Sequence, residues 1–166
     1  MIVRTLTTGL FLASVLFSTL SFAGIQFPTN PDPNMTPGAL CTDPTIKRYA
    51  EQIDYCNRAV STATKNAVIK SYDQQLGFQI ESMNRQDFKI DHFIPLSIGG
   101  ANSVLNLWPQ HKSVYQYSDP LEQQLSTLMT LNKIKQAEAV NVMKECKLNL
   151  PRCADLSAYL DTLLKQ

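Results

Sequence analysis

Residues 90–111 read IDHFIPLSIGGANSVLNLWPQH. The apolar run that begins at residue 88 predicts a β-strand, which would end around Pro95 and the Gly99-Gly100 pair. A second apolar run at residues 104–108 predicts the strand that pairs with it. Two short apolar runs around a glycine-rich connection therefore indicate an irregular β-hairpin near the middle of the chain.

Reactive side chains are concentrated in this hairpin. The chain has two histidines, and both of them, His92 and His111, lie in the quoted stretch together with Asp91. A neutral imidazole is well suited to take a proton from water near neutral pH. A carboxylate can hold a divalent ion that binds a phosphate oxygen and stabilises a departing oxygen. However, adjacent strand residues point to opposite faces, so Asp91 and His92 can share a site only where the strand bends or ends.

The same stretch resembles the HNH, or ββα-metal, endonuclease family in its exported bacterial type. That family has an Asp-His pair on an apolar strand, then a Gly-Gly connection, then an Asn-Leu pair before a helix. Here the Asp-His pair is Asp91-His92, the Asn is Asn106, and the interval between His92 and Asn106 is the usual one. The resemblance implies a ββα fold in which His92 is the general base and Asp91 a metal ligand. It also implies that Asn106 supports the active site by tying the strands together.

The sequence departs from this family at the third position of the metal site. The helix residue that usually supplies a ligand corresponds to Tyr115, a poor ligand for a hard cation. His111 is the nearest nitrogen ligand and Gln110 an oxygen alternative, although a solvent-facing role for His111 is equally compatible with the sequence. Glu122 could add a carboxylate, but it also fits a helix-capping role.

The expected cofactor is a divalent metal ion, and the expected partner is a nucleic acid. Mg²⁺ suits an oxygen-rich site best, and Mn²⁺, Ni²⁺ or Zn²⁺ would become more plausible if His111 is a ligand. The formal net charge is only +1, so bulk charge cannot attract a polyanion. Arg85, Lys89 and Lys112 lie near the motif and are the candidate phosphate contacts. DNA is the expected substrate, with RNA as an alternative.

The N-terminus has the pattern of a secretory signal peptide at residues 1–23. Arg4 precedes an uncharged apolar run, and Ser21-Phe22-Ala23 fits a cleavage site. An uncleaved membrane anchor is the alternative. Cleavage predicts a secreted or periplasmic protein without stable membrane association, and residues 24–45 then form a proline-rich leader or loop.

The four cysteines predict disulfide bonds in an exported chain. Three pairings are possible, and the two closest pairs in sequence, Cys41–Cys56 and Cys146–Cys153, are the simplest choice. A zinc site is the alternative, but the spacings are far from those that zinc knuckles prefer.

The remaining sequence predicts helices around the hairpin. Apolar residues recur at helical spacing over residues 46–72. Asp119, Pro120 and Glu122 have the order of a helix start. Asn132 is a candidate cap for the next helix, and Leu156 and Leu160 belong to a last amphipathic helix. The predicted fold class is α+β: one mostly helical domain, residues 46–166, that contains a small ββα element.

Two functions from different classes remain open. The first is an exported, metal-dependent HNH endonuclease. The second is a non-catalytic exported protein that binds nucleic acid or protein on a degenerate HNH scaffold, which the missing third ligand favours. A purely structural domain with a buried Asp91-His92 pair is a third reading, but it does not account for Gly99-Gly100 and Asn106 at their spacings.

Overall fold

The computed structural model describes residues 26–44 and 46–166, and the signal peptide predicted at residues 1–23 lies outside them. Across the described ranges the fold is α+β, as predicted, with four α-helices and two antiparallel two-stranded sheets. The first sheet pairs β1 (Ile46–Arg48) with β2 (Ile53–Tyr55), and the second pairs β3 (Phe88–His92) with β4 (Leu107–His111). The helices are α1 (Thr62–Leu76), α2 (Lys112–Thr130), α3 (Gln136–Leu148) and α4 (Arg152–Lys165).

The predicted central hairpin is present as β3 and β4, and α2 follows it directly. The helix begins at Lys112 rather than at Asp119, because His111 is its N-cap and accepts a hydrogen bond from the Ser113 N–H. Pro120 therefore lies inside α2, where it donates no backbone hydrogen bond. Buried residues on the same helix, including Val114 and Leu121, offset that loss.

Residues 46–55 form the β1–β2 hairpin instead of the first part of a helix, so the helical prediction for residues 46–72 is wrong in its first half. The turn places Tyr49 and Gln52 in the left-handed region, with φ of 61° and 57°. The Gln52 side-chain amide donates to the Tyr49 carbonyl and stabilises the turn. The helix predicted in this region begins only at Thr62.

Two hydrophobic clusters lie on either side of the central hairpin. One joins α2, α3 and α4, and the other packs α1 against β3 and β4. Trp108 is fully buried in the second cluster. The start of α3 differs from the prediction: Lys135 is its N-cap, whereas Asn132, with a φ of 54°, lies in the turn after α2.

The proline-rich segment before β1 is attached to the hairpin connection by backbone hydrogen bonds. Gly38 N–H donates to Leu105 O, and Cys41 N–H donates to Gly99 O. The Thr36 hydroxyl donates to Leu107 O and also pairs with the Tyr72 hydroxyl. The segment that the sequence predicts as a leader or loop is thus an extended strip bonded to the domain over the residues described.

Two disulfide bonds, Cys41–Cys56 and Cys146–Cys153, confirm the simplest predicted pairing. They indicate a protein of an oxidising environment. Among the residues described, no helix is both long enough and apolar enough to cross a membrane.

Candidate active site

The two faces of the central hairpin position its polar side chains differently. Asp91 pairs with Trp108, and His92 pairs with Leu107, so the two residues occupy adjacent positions with opposite orientations. Asp91 bonds to α3 and lies beside α2, whereas His92 bonds to the connection that follows β3. The hairpin therefore separates the carboxylate and the imidazole into two neighbouring environments.

An acidic cluster lies where β3 meets α2. Asp91, Asp119 and Glu122 each place one carboxylate oxygen within 4.8 Å of the others. Asp119 and Glu122 are three positions apart on α2 and share one face of that helix. We name these three residues the acidic cluster.

Lys147 of α3 lies at the inner side of the acidic cluster. Its side chain is 0% exposed, and its ammonium donates to Asp91 Oδ2 at 2.7 Å, His92 O at 2.7 Å and Glu122 Oε1 at 3.0 Å. Burial alone would raise the pKa of Asp91, but attraction to Lys147 and Lys89 outweighs it and lowers that pKa. Burial is also the largest influence on Glu122, and with repulsion from Asp91 it raises the pKa of Glu122 despite Lys147.

A cleft with a volume of about 360 Å³ opens at the outer side of the acidic cluster. Arg58 and Lys89 line it together with all three carboxylates. Lys89 bonds both oxygens of Asp119, at 2.7 and 2.9 Å, and lies 3.6 Å from Asp91 Oδ1. The cleft thus has carboxylate oxygens beside two cationic side chains, a combination suited to a divalent ion and a phosphate group.

The acidic cluster could hold one divalent ion on the side that faces the cleft. Carboxylate oxygens are the preferred ligands of Mg²⁺, and one oxygen of each residue lies within 4.8 Å of the others. Lys89 is about one-third exposed, so its flexible side chain can leave the carboxylates when an ion binds. The inner oxygens are already bonded to Lys147.

His92 lies beneath Asn102 and is only 2% exposed. Its Nε2 is 3.1 Å from Asn102 Oδ1, and the Asn102 amide nitrogen donates to Asn57 O at 2.7 Å. Because that second bond fixes the direction of the Asn102 amide, Nε2 must carry the proton and donate it to Asn102. Nδ1 then holds the free lone pair, and it has no partner among the residues described. In the neutral ring, Nδ1 is therefore the basic nitrogen.

The environment of His92 keeps the ring neutral. Burial lowers the pKa of His92 below its usual value of 6.5, the Asn102 hydrogen bond opposes this, and the nearby Arg58 lowers it further. A buried histidine that stays unprotonated near neutral pH has the protonation state that a general base requires.

Replacing Asn102 by Asp should raise the pKa of His92 by about one unit or more, because a carboxylate in contact favours the imidazolium form. The measurement is an NMR titration of the imidazole protons, in which His111 serves as an internal reference that should not shift. An unchanged pKa of His92 would show that Nε2 does not donate to residue 102.

Asn106 closes the connection between β3 and β4. Its Oδ1 accepts from the Ile94 N–H at 2.8 Å, and its Nδ2 donates to Ile94 O at 2.9 Å and Ala101 O at 3.0 Å. The side chain is fully buried. These bonds hold the two ends of the connection together. The role of Asn106 in supporting an active site stays a prediction.

The structure does not bring His111 to Asp91. His111 pairs with Phe88, three pairs along the hairpin from Asp91, and its ring stacks on Phe27 with centroids 4.1 Å apart. Its Nδ1 accepts the Ser113 N–H. The prediction that His111 completes a metal site with Asp91 therefore does not fit the structure, because the residue caps α2 instead.

The three residues predicted to contact phosphate do not lie together in the structure. Lys89 lines the cleft, whereas Lys112 pairs with Asp87 and the Arg85 guanidinium donates to Phe88 O. The last two residues lie near the far end of the hairpin. Arg58 takes their place beside the carboxylates.

Sequence reasoning missed Lys147 and gave little weight to Asp119. Lys147 follows Ala139 and Met143 at helical spacing on the buried stripe of α3, so a lysine on an apolar stripe was the available signal. Asp119 shares a helix face with Glu122 only if α2 begins before both of them.

No protein-family model matches the chain, no curated protein matches it, and no solved structure matches it. What the site can do chemically therefore follows from its own side chains.

Proposed function

We propose that this chain is an exported, metal-dependent endonuclease of the HNH type that hydrolyses phosphodiester bonds of DNA, with RNA as an alternative substrate. The observation that carries the proposal is the β3–β4–α2 element, in which Asp91 belongs to the acidic cluster that lines the cationic cleft and His92 is the next residue of the same strand. The two disulfides support an oxidising compartment, and the sequence pattern at residues 1–23 favours secretion or the periplasm.

The cleft residues bind the substrate and the ion. The acidic cluster would hold one divalent ion, with Mg²⁺ the best match to its oxygens, and such an ion would stabilise negative charge on the phosphate and on the leaving oxygen. Arg58 and Lys89 contact the phosphate backbone. Contacts of this kind are blind to base sequence and weaken as salt rises.

His92 takes the proton of the attacking water at Nδ1. The water oxygen then bonds to phosphorus as the bond from phosphorus to the 3′ oxygen breaks, and the ring becomes an imidazolium. The departing 3′ oxygen takes its proton from solvent. Asn102 stays hydrogen-bonded to Nε2–H and keeps Nδ1 the basic nitrogen. Because Nδ1 is buried, the chain that packs over this side of the ring must shift to admit the water.

A non-catalytic binding protein is the second candidate function. Two observations favour it: Lys147 already neutralises Asp91, and His92 is 2% exposed. Such a protein would still bind a polyanion through Arg58 and Lys89, and it would need neither a metal ion nor a basic Nδ1.

Metal dependence separates the two functions. Purified protein without residues 1–23 is incubated with plasmid DNA, single-stranded DNA and RNA, in EDTA or with Mg²⁺ or Mn²⁺. We expect cutting with metal and none in EDTA, because the leaving oxygen is not stabilised without the ion. Binding without cutting under every condition would establish the second function, and cutting in EDTA would contradict the metal site.

A further inference from the structure

The ammonium of Lys147 has a complete set of oxygen partners. A lysine ammonium has three N–H donors, and Lys147 directs one each to Asp91 Oδ2, Glu122 Oε1 and His92 O. The side chain is 0% exposed, so no solvent shares these bonds. Two carboxylates and a carbonyl around one buried charge resemble the oxygen set of a bound metal ion.

Lys147 cannot leave this position easily. It follows Cys146, whose disulfide to Cys153 joins the end of α3 to the start of α4. If the Lys147 ammonium moved away from the cluster, Asp91 would be a buried charge without its partner, which is strongly unfavourable. Lys89 differs, because it is 34% exposed and pairs with Asp119 at the surface.

We propose that Lys147 is a built-in cation that fills the inner half of the acidic cluster, so that the cluster takes a single divalent ion at its outer, cleft side. The inference depends on the proposed function only because that function also requires the ion at the outer side of the cluster. Lys147 acts as a positioning residue: it holds one oxygen each of Asp91 and Glu122 inward and leaves Asp91 Oδ1 directed to Lys89 and the cleft. It does not touch substrate.

Lys147→Met tests the inference, because methionine keeps an unbranched side chain and removes the charge. The matched control is Lys144→Met on the same helix, whose ammonium donates to Pro37 O away from the cluster. Mn²⁺ binding is measured by calorimetry and thermal unfolding by circular dichroism, both without nucleic acid. We expect Lys147→Met to bind Mn²⁺ about tenfold more tightly than the wild type, or to bind one more ion, because the cluster gains a full negative charge.

Thermal unfolding supplies an independent readout. In EDTA, Lys147→Met should unfold at a lower temperature than the wild type. Addition of Mn²⁺ should raise the unfolding temperature of this variant most of the way back to the wild-type value. Lys144→Met should respond to Mn²⁺ like the wild type. Equal Mn²⁺ affinity and equal response to Mn²⁺ in Lys147→Met and the wild type would overturn the inference.

The double variant Asp91→Asn/Lys147→Met covers the case in which Lys147→Met does not fold in EDTA. Removing both charges should restore folding and abolish the extra Mn²⁺ affinity, because no buried charge is left without a partner. If both variants fail to fold, the charge pairing is not the role of Lys147 and the inference is wrong. A wild type that binds one Mn²⁺ but does not cut would contradict only the proposed function, since the Lys147→Met readouts need no catalysis. A wild type that binds no Mn²⁺ would overturn the inference, because the outer ion would then be absent.

Discussion

Replacing His92 by Asn should lower the rate of nucleic-acid cleavage about a thousandfold, because a positioned general base contributes roughly 10²–10⁴ to such a rate. The asparagine can still accept and donate hydrogen bonds beside Asn102, so the loss reflects the missing base rather than an empty cavity. The measurement is the initial rate of plasmid cleavage at saturating Mg²⁺, with the unfolding temperature recorded in parallel.

His111→Asn is the matched control, because it makes the same substitution at the other histidine of the chain. Asparagine is a good N-cap residue, so it can accept the Ser113 N–H that His111 accepts now. Cleavage should stay close to the wild-type rate. A thousandfold loss in His111→Asn, with His92→Asn still active, would reverse the assignment of the two histidines.

Gly100→Ala should destabilise the protein by at least about 4 kcal/mol, which is exceptional for a single substitution. A β-carbon at Gly100 would lie 1.8 Å from Ile94 O and 2.7 Å from Ile94 C. Both are backbone atoms, so relief requires the connection between β3 and β4 to move. That movement would break the bond from Gly100 N–H to Pro95 O and disturb the side-chain amide of Asn106, 2.9 Å from the same position.

Gly77→Ala gives the comparison for this effect. Gly77 ends α1 with a φ of 75°, and no atom lies within 4 Å of a β-carbon placed there. Alanine at this position strains only the left-handed backbone, which should lower the free energy of unfolding by about 1–2 kcal/mol. Urea unfolding with the disulfides intact measures both variants. If both variants lose the same free energy of unfolding, the close approach of Gly100 to Ile94 is not present in solution.

The central hairpin and the last helix could be predicted because their signals are local. The two apolar runs and the glycine pair between them indicate the hairpin, and Leu156 and Leu160 give α4 its buried stripe. The disulfide pairing was also the simplest choice by sequence distance. Each of these features depends on residues that are near one another along the chain.

The β1–β2 hairpin was missed for a physical reason. Its turn uses left-handed Tyr49 and Gln52, and sequence rules place glycine or asparagine in such positions. The apolar spacing of Ile46, Tyr49 and Ile53 also fits a helix. Tertiary contacts select the strand: Ile53 packs into the cluster with α2, α3 and α4.

The acidic cluster also depends on contacts that local sequence patterns do not report. Asp119 and Pro120 satisfy a local helix-start rule, yet α2 begins earlier and directs Asp119 towards Lys89. Only then do Asp119 and Glu122 meet Asp91. Lys147 reaches the cluster from α3, across a separation of 56 positions from Asp91, and no local pattern reports a pairing at that distance. The positions of Asp91 and His92 on the hairpin were therefore predictable, but their surroundings were not.

The strip of chain at residues 36–41 sets an order of events for folding. It is synthesised before its partners, which lie in the connection before β4 and at the start of β4, as in the bond from Thr36 to Leu107 across 71 positions. Contacts of such long range form slowly, because a long loop must close first. We therefore expect this strip to reach its native position late in folding, after the hairpin that it covers.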